Sequence, residues 1–210
     1  MRGNDGGEIV IVEKKAQTSV AIHDLIARRW SPRAFDKSKP VSRALVIALL
    51  EAARWAPSCY GDEPWRYLLW DRQRDPASWQ KAFECLSEGN QAWVKNVPLL
   101  LASIAGSQFA HNGKPNRWGQ HDTGAASANL VLQAVALGLA AHQMGGFDAD
   151  KLREKFAIPP GYTPMAMIAV GYQADAGILE GEVKERELAP RTRMPLGEKF
   201  FEGSWGVPVA

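Results

Sequence analysis

Apolar residues recur every three or four positions in several segments of the chain, a spacing that predicts amphipathic helices. The clearest of these begins after Ser42, a residue type that favours the N-cap, and continues to about Trp55, before Pro57. Its apolar positions are Leu45, Ala48, Leu49 and Ala52. A first helix is predicted over residues 19–29, because Pro32 restricts the backbone before it to extended conformations.

Aspartates at cap positions predict two more helices. Asp75 precedes Pro76, and proline at the first helical position is pre-organised for a helix. One face of that helix would carry Trp79, Phe83 and Leu86. Asp148 is predicted to cap another helix, which ends near Phe156.

Short runs of apolar and aromatic residues predict three strands, at 66–70, 98–105 and 163–172. Residues 106–119 are rich in glycine, asparagine and basic side chains, which is typical of an exposed loop. A short segment, 139–144, leads into two glycines that indicate a tight backbone. Because helices and strands interleave, the fold class is α+β or α/β.

The stretch 123–141 has no charged residue, and its 19 residues are long enough to span a membrane. It is nevertheless rich in alanine and contains Ser127, Asn129 and Gln133, so its hydropathy argues against a membrane span. We expect instead a helix that opens near Asp122 and is covered on all sides. The cover would come from the core alone or from the core and a second subunit, which favours a dimer.

Composition and charge indicate an ordinary soluble protein. The chain has 210 residues with 25 basic and 23 acidic side chains, and a net charge of +2 predicts neither nucleic acid nor a membrane surface as a partner. The first 18 residues do not resemble a signal peptide. Cys59 and Cys85 form no CxxC motif, which favours a reducing, cytoplasmic setting. Eight tryptophans are an excess that composition alone does not explain.

No linker or repeat divides the chain, so one domain is predicted over residues 19–196, between an irregular extension (1–18) and a tail (197–210). The usual motifs of nucleotide, dinucleotide, zinc-protease and hydrolase sites are absent. No histidine lies at a trusted metal-ligand spacing, so no metal site is predicted. His121 and Asp122 are adjacent, and helix capping is favoured over catalysis there. Cys59 is favoured as a small, semi-buried residue over a nucleophile.

Two segments carry the chemistry. Residues 28–36 hold three arginines, a serine and two aromatics, and guanidinium groups suit a phosphate. Arg191 and Arg193 could complete that anion site if the chain ends converge; the alternative is solvated surface arginines. Residues 56–65 are small, polar and turn-rich, which allows close approach to a flat ligand. An ordinary loop closed by a core tryptophan, Trp65, is the alternative there.

These segments, in their order along the chain, resemble the flavin-dependent nitroreductase family. The similar stretches are 29–36, 56–65, the Asp-Thr-Gly-Ala that begins at Asp122, the His-Gln-Met-Gly-Gly-Phe-Asp at 142–148, and the Arg-x-Arg at 191–193. The resemblance implies an intertwined α+β homodimer with a central mixed or antiparallel sheet flanked by helices and with FMN at the subunit interface. It also implies that NAD(P)H reduces the flavin, which then passes hydride from N5 to a nitro compound, quinone or related small acceptor in a ping-pong cycle.

The resemblance assigns cofactor-binding roles to specific residues and no catalytic residue beyond the flavin itself. The residues that would hold the phosphate and ribityl chain are Arg29, Trp30, Ser31, Arg33, Arg191 and Arg193. Those at the flavin ring would be Gln143, Met144, Gly145 and Gly146 through their backbone, Asn90 near the pyrimidine, and Pro57, Ser58 and Cys59 of the other subunit's loop. Residues 106–119 are a candidate lid, with a mobile solvated loop as the alternative.

The chain departs from the common family pattern at several positions. The family often has Arg-Arg-Ser or Arg-His-Ser where this chain has Arg29, Trp30 and Ser31, and Gly145 stands where some members carry glutamate. Cys59, Gly61 and Glu63 replace serine, asparagine and glutamine. These departures leave the acceptor open, so the alternatives are reduction of an enal, a semialdehyde or another acceptor on the same scaffold, or a flavin-binding protein with little turnover.

Overall fold

A computed structural model describes residues 11–209 of the chain. Its helices are α1 (Asp24–Arg28), α2 (Arg43–Arg54), α3 (Pro76–Phe83), α4 (Glu88–Val94), α5 (Gly119–Ala136), α6 (Ala149–Lys155) and α7 (Gly181–Leu188). Its strands are β1 (Trp65–Asp71), β2 (Leu99–Gly106), β3 (Ala140–Met144) and β4 (Tyr162–Gly171). Short 3-10 turns lie at Cys59–Gly61, Ala176–Ile178 and Leu196–Glu198. The predicted α+β class is confirmed.

The four strands form one antiparallel sheet in the order β1-β2-β4-β3. In the pairing of β2 with β4, Ser103 faces Ala166 while its neighbour Ile104 faces Pro164, so the register shifts by one residue. Proline has no N–H to donate, and an irregularity at this point lets the ladder continue past it. The sheet predicted as mixed or antiparallel is therefore antiparallel.

Each face of the sheet carries its own hydrophobic cluster. Successive residues of the central strand β2 alternate between them, with Leu99 and Leu101 on one side and Leu100 and Ala102 on the other. Helices α2 and α5 cover the first side, and α3, α4 and α6 contribute to the second. The second cluster also contains three of the tryptophans, Trp70, Trp79 and Trp93. These side chains belong to the core, whereas Trp55 and Trp205 are exposed.

The predicted caps are present. The side chain of Ser42 accepts a hydrogen bond from Leu45 N at 3.3 Å, and Asp75 and Asp148 cap α3 and α6 in the same way. The prediction for the first helix was wrong at its start, because α1 begins only at Asp24. His23 Nδ1 accepts from Leu25 N and supplies the N-cap, so residues 19–23 remain outside the helix.

Two helices and one strand were not predicted. The helix predicted to carry Leu86 ends at Phe83, and helix α4 follows as a separate element. Helix α7 lies in the charged region beyond Gly177, and the segment before the two glycines is strand β3. Their sequences are short or polar, so tertiary contacts rather than a long periodic pattern select these elements.

Helix α5 begins at Gly119, three residues before the predicted opening. It buries Leu130, Val131 and Ala134, while Gly124 and Ala128 on another face are exposed. Within residues 11–209, no helix is both long and apolar enough to cross a membrane. The predicted cytoplasmic location stays a prediction. The first ten residues of the predicted extension and the last residue of the tail lie outside the described part of the chain.

Candidate functional site

The two basic clusters meet at the end of α1. Arg29 is the C-cap of this helix and has an extended backbone (φ −60°, ψ 120°), which directs the following residues across the surface. The guanidinium of Arg191, 162 positions away, donates to the carbonyl oxygen of Arg29 and, at 3.1 Å, to that of Ala27. We call residues 29–33 the anion segment. The convergence of the chain ends on which the anion hypothesis depends is therefore present.

The arginines of this cluster repel one another. Burial lowers the pKa of Arg29, and the charges of Arg191 and Arg193 lower it further. The pKa of Arg191 is lowered for the same reasons, by burial and by Arg193. No carboxylate of residues 11–209 forms an ion pair with any of these three arginines. A cluster of guanidiniums without a counter-charge fits a bound phosphate, which would relieve the repulsion.

The far end of the anion segment is held by a buried carboxylate, Glu187 of α7. Its side chain is 0% exposed, and it accepts hydrogen bonds from Arg33 N at 2.8 Å and Ala34 N at 3.3 Å. Burial raises the pKa of Glu187, and the two N–H groups and the Arg33 charge oppose that shift. Sequence reasoning missed this residue. The available signal is that Glu187 follows the partly buried Val183 by one helical turn.

A second link to the anion segment comes from β3. Nδ1 of His142 lies 2.9 Å from the carbonyl oxygen of Pro32, which can only accept, so Nδ1 carries the proton. The imidazole packs on the ring of Trp93, with centroids 4.7 Å apart. Burial, with the nearby charges of Arg33 and Arg29, lowers the pKa of His142 to about 4. A neutral histidine therefore joins β3 to the anion segment.

Beyond His142, β3 leads to the two predicted glycines. The carbonyl oxygen of Gly146 accepts from Ser87 N at 3.0 Å and from Asn90 Nδ2 at 2.9 Å. A Cβ atom at Gly146 would lie only 2.7 Å from Asn90 Nδ2, so a larger residue there would crowd Asn90 or displace its amide. A Cβ at Gly145 would meet nothing within 4 Å. The structure thus brings Asn90, the predicted site residue with the weakest match to the family, to Gly145 and Gly146. We call these two residues the glycine turn.

Two neighbouring cavities lie along this turn. One of about 520 Å³ is lined in part by Leu86, Gly145, Gly146 and Asp148. Another of about 220 Å³ is lined in part by Arg33, Asn90 and Trp93, and both include Ser87. Near them, the side chain of Gln143 is exposed and that of Met144 is buried, so Met144 offers only its backbone to a ligand.

The loop at Pro57, Ser58 and Cys59 makes its hydrogen bonds to other parts of the chain. Cys59 N donates to the buried carboxylate of Asp122 at 2.9 Å, and Ser58 Oγ accepts from Glu63 N at 3.1 Å. No hydrogen bond in residues 11–209 joins 57–59 to the anion segment or to 143–146. Within residues 11–209, hydrogen bonds therefore do not connect these two sets of predicted site residues.

Asp122 accepts a hydrogen bond from the loop and does not cap its own helix. It lies in the first turn of α5, where one carboxylate oxygen accepts from Cys59 N and the other lies 3.0 Å from Nδ1 of the exposed His121. Asp122 is 4% exposed, so this capping of an adjacent loop takes place inside the protein. The interpretation as a helix cap was wrong, because α5 begins at Gly119 with Trp118 at its N-cap, and Asp122 accepts instead from the loop at Cys59.

The candidate lid is fastened to the same loop by Asp62. The carboxylate of Asp62 accepts from Ala110 N at 2.7 Å and from Asn116 Nδ2 at 3.1 Å. The two ends of the lid also meet, since a Cβ at Gly119 would lie 2.2 Å from the carbonyl oxygen of Gly106. Residues 57–63 and 106–119 together are called the two-loop region below.

Comparison with known proteins decides the family. The sequence pattern described as "Nitroreductase family" matches residues 26–172. The chain belongs to the nitroreductase family. A crystal structure of an oxidoreductase containing FMN shares 39% identity with it at a TM-score of 0.85, over 91% of this chain and 96% of that chain. The resemblance and the fold expected from it are therefore confirmed.

Two curated proteins are similar to most of the chain. Protein DrgA of Synechocystis is 29% identical over 204 residues, covering 83% of this chain and 92% of DrgA. A putative NADH dehydrogenase/NAD(P)H nitroreductase of Methanothermobacter thermautotrophicus is 29% identical over 156 residues, covering 72% and 77%. The similarity extends over most of each protein, so it concerns the whole nitroreductase domain.

Proposed function

We propose that the protein binds FMN at the junction of the anion segment and the glycine turn and reduces small nitro compounds, quinones or related electrophiles. The protein is an NAD(P)H-dependent FMN oxidoreductase of the nitroreductase family. The observation that carries the cofactor assignment to this chain is the cluster of Arg29, Arg191 and Arg193, which has no carboxylate partner within residues 11–209. His142 contacts the anion segment at Pro32 and lies on the strand that leads to the glycine turn, so it connects the two.

The anion segment would hold the phosphate end of the cofactor. Arg29 and Arg193 would donate to phosphate oxygens, since charge-assisted bonds to a phosphate are among the strongest that side chains form. Arg191 already uses two N–H groups on backbone carbonyls, so its first role is to hold the segment in place. Ser31 Oγ lies 3.4 Å from Arg29 Nη1 and extends this polar edge.

The glycine turn and Arg33 would orient the ring end. Bound FMN supplies hydride transfer in both half-reactions, and the protein supplies orientation and electrostatics. Arg33 borders the cavity that Asn90 also lines, which sets a positive charge and an amide beside the expected pyrimidine edge. The exposed Gly145 leaves the adjoining cavity open for a nicotinamide or an acceptor.

We further propose that the protein is a homodimer in which residues 57–59 of a second copy complete the cofactor site. Three features support this. The loop has no hydrogen bond to the anion segment or glycine turn of its own chain within residues 11–209. Helix α5 exposes Gly124 and Ala128, small residues that allow another helix to approach closely. The exposed Trp55, at 77%, adds apolar surface near the same loop.

One anaerobic spectrum tests the cofactor and the reaction together. The purified protein should show the two flavin absorption bands, and NADH or NADPH should bleach them. A protein that stays colourless after FMN is added would overturn the proposal. Flavin that binds but does not bleach with either nicotinamide would reduce the protein to a flavin-binding role. Oxidation of the nicotinamide with a nitroarene, a quinone and an enal then separates the acceptor classes, and gel filtration reports the dimer.

A further inference from the structure

The N-terminal segment, residues 11–16, is docked on the domain and not free of it. Ala16 N donates to Ala27 O at 2.8 Å, at the end of α1. The side-chain amide of Gln173 donates to Val12 O at 2.7 Å, just beyond β4. These two contacts fix both ends of the segment, which we call the strap.

Lys14, between those two ends, reaches the last turn of α7. Its ammonium donates to Ala189 O at 2.6 Å and to Arg186 O at 3.3 Å. Carbonyl groups at a helix C-terminus lack partners within the helix and attract cations. The same ammonium lies 4.7 Å from the centroid of the Trp30 ring, a cation–π contact. Burial lowers the pKa of Lys14, while the charge of Glu187 opposes that shift.

The last turn of α7 is therefore linked to the anion segment at two places, Trp30 and Arg33. Lys14 joins the α7 carbonyls to Trp30, and Glu187, on that turn, accepts from the backbone of Arg33. Lys14 and Glu187 also attract each other. The residues between Trp30 and Arg33 are thus held by contacts at each end. Such contacts oppose the repulsion between Arg29 and the neighbouring arginines, which would otherwise favour a displaced backbone here.

We propose that the strap orders the anion segment before any ligand binds, and that Lys14 is a positioning residue for FMN that does not itself touch the cofactor. This inference rests on the proposed function for the identity of the ligand. The physical reason is pre-organisation: a segment that is already held in place loses less conformational entropy on binding, so its affinity for the phosphate is higher.

The test compares three single variants with wild type, of which two remove one positive charge and one retains it. Lys14→Met removes the ammonium and keeps a stem that can lie on Trp30, and Lys14→Arg retains the charge. Lys15→Met is the matched control, since Lys15 makes only an exposed ion pair with Asp24 at 3.4 Å. Hydrogen exchange of the Arg33 and Ala34 amides is measured in apoprotein, together with the FMN dissociation constant and the thermal midpoint.

Lys14→Met should speed exchange of those amides and weaken FMN binding, each by roughly tenfold. Lys14→Arg should restore both to within about threefold of wild type, and Lys15→Met should leave both unchanged. Unchanged exchange in a folded Lys14→Met protein would overturn the strap. Faster exchange with unchanged FMN affinity would overturn the positioning role. If the wild type bound no FMN, the proposed function would fail, while exchange in apoprotein would still decide whether the strap orders the segment.

Discussion

The two polar regions of the molecule are built in different ways. The anion segment is tied down from three directions within one chain, by Arg191, His142 and Glu187. The two-loop region is held by hydrogen bonds to two buried carboxylates, Asp62 and Asp122, and its other side chains are largely exposed.

The difference fits the roles that we propose for the two regions. A phosphate is the same in every catalytic cycle, so a rigid site made by one chain would suit it. A nicotinamide and an acceptor alternate in the proposed cycle, so a surface that opens and closes would suit them, and the two-loop region is our candidate for it. The exposed Tyr60, at 84%, illustrates the second region: its backbone has a φ of 57°, and its ring contacts Phe109 of the neighbouring loop edge to face.

The largest expected effect comes from the arginine cluster. The double variant Arg29→Ala with Arg193→Ala should weaken FMN binding by roughly 10²–10⁴-fold, since each charge-assisted bond to phosphate contributes about 1.5–3 kcal/mol. Fluorescence titration of apoprotein measures this. Arg28→Ala is the control, because Arg28 is exposed and pairs with Asp24. A double variant within threefold of the control would show that the anion segment does not hold the phosphate.

His142 makes the stability of the apoprotein depend on pH. Its pKa falls from 6.5 to about 4 on folding, so its neutral form stabilises the fold above pH 6.5, and this contribution is lost as the pH falls through 4. The shift corresponds to about 3 kcal/mol. His142→Gln, which keeps an N–H donor, should reduce the loss of unfolding free energy between pH 6.5 and 4, measured with urea. An equally steep loss in the variant would mean that other groups cause it.

The glycine turn allows a matched pair of variants. Gly146→Ala places a methyl group 2.7 Å from Asn90 Nδ2 and 2.8 Å from Ser87 Oγ, and the crowding should cost about 1–3 kcal/mol. Gly145→Ala meets nothing within 4 Å and should change stability by less than about 0.5 kcal/mol. Urea unfolding of both proteins checks the difference. Equal stabilities would mean that Asn90 is not held at the turn.

The smallest effect concerns the two-loop region. Asp62→Asn keeps the shape of the side chain but replaces one acceptor oxygen by a donor, so it loses one of the bonds to Ala110 and Asn116, at about 1 kcal/mol. We expect faster hydrogen exchange in residues 106–119 and an unchanged FMN affinity. Glu63→Gln, at an exposed position, is the control. A parallel loss of FMN affinity would show that the two regions are coupled.

The sequence-based predictions were best where the signal is local. Ser42, Asp75 and Asp148 were identified as caps because a cap needs only a side-chain oxygen and an N–H three residues away. The three predicted strands were found within one residue of their bounds, since long apolar runs bury on both faces of a sheet. The first helix was predicted too long because the capping ability of His23 was not considered.

The resemblance to the family predicted long-range contacts that the local patterns did not. It named Arg29, Arg33, Arg191 and Arg193 as one group, and the structure brings the first and third into contact. The assignment of each site residue to FMN stays a prediction that the variants above can test. Neither the patterns nor the resemblance pointed to Glu187, His142 or Lys14 as supports of that group.

By itself the sequence determined the starts of α2, α3 and α6, the strands β1, β2 and β4, the absence of common catalytic motifs and, through ordered motifs, the family. The tertiary structure alone decided that Lys14, His142 and Glu187 support one anion segment. The physical reason is that capping and periodicity act over a few residues, whereas Pro32 and His142, or Arg33 and Glu187, are more than a hundred positions apart. Their contacts arise only after the sheet and helix packing bring those positions together, and no local pattern encodes that distance.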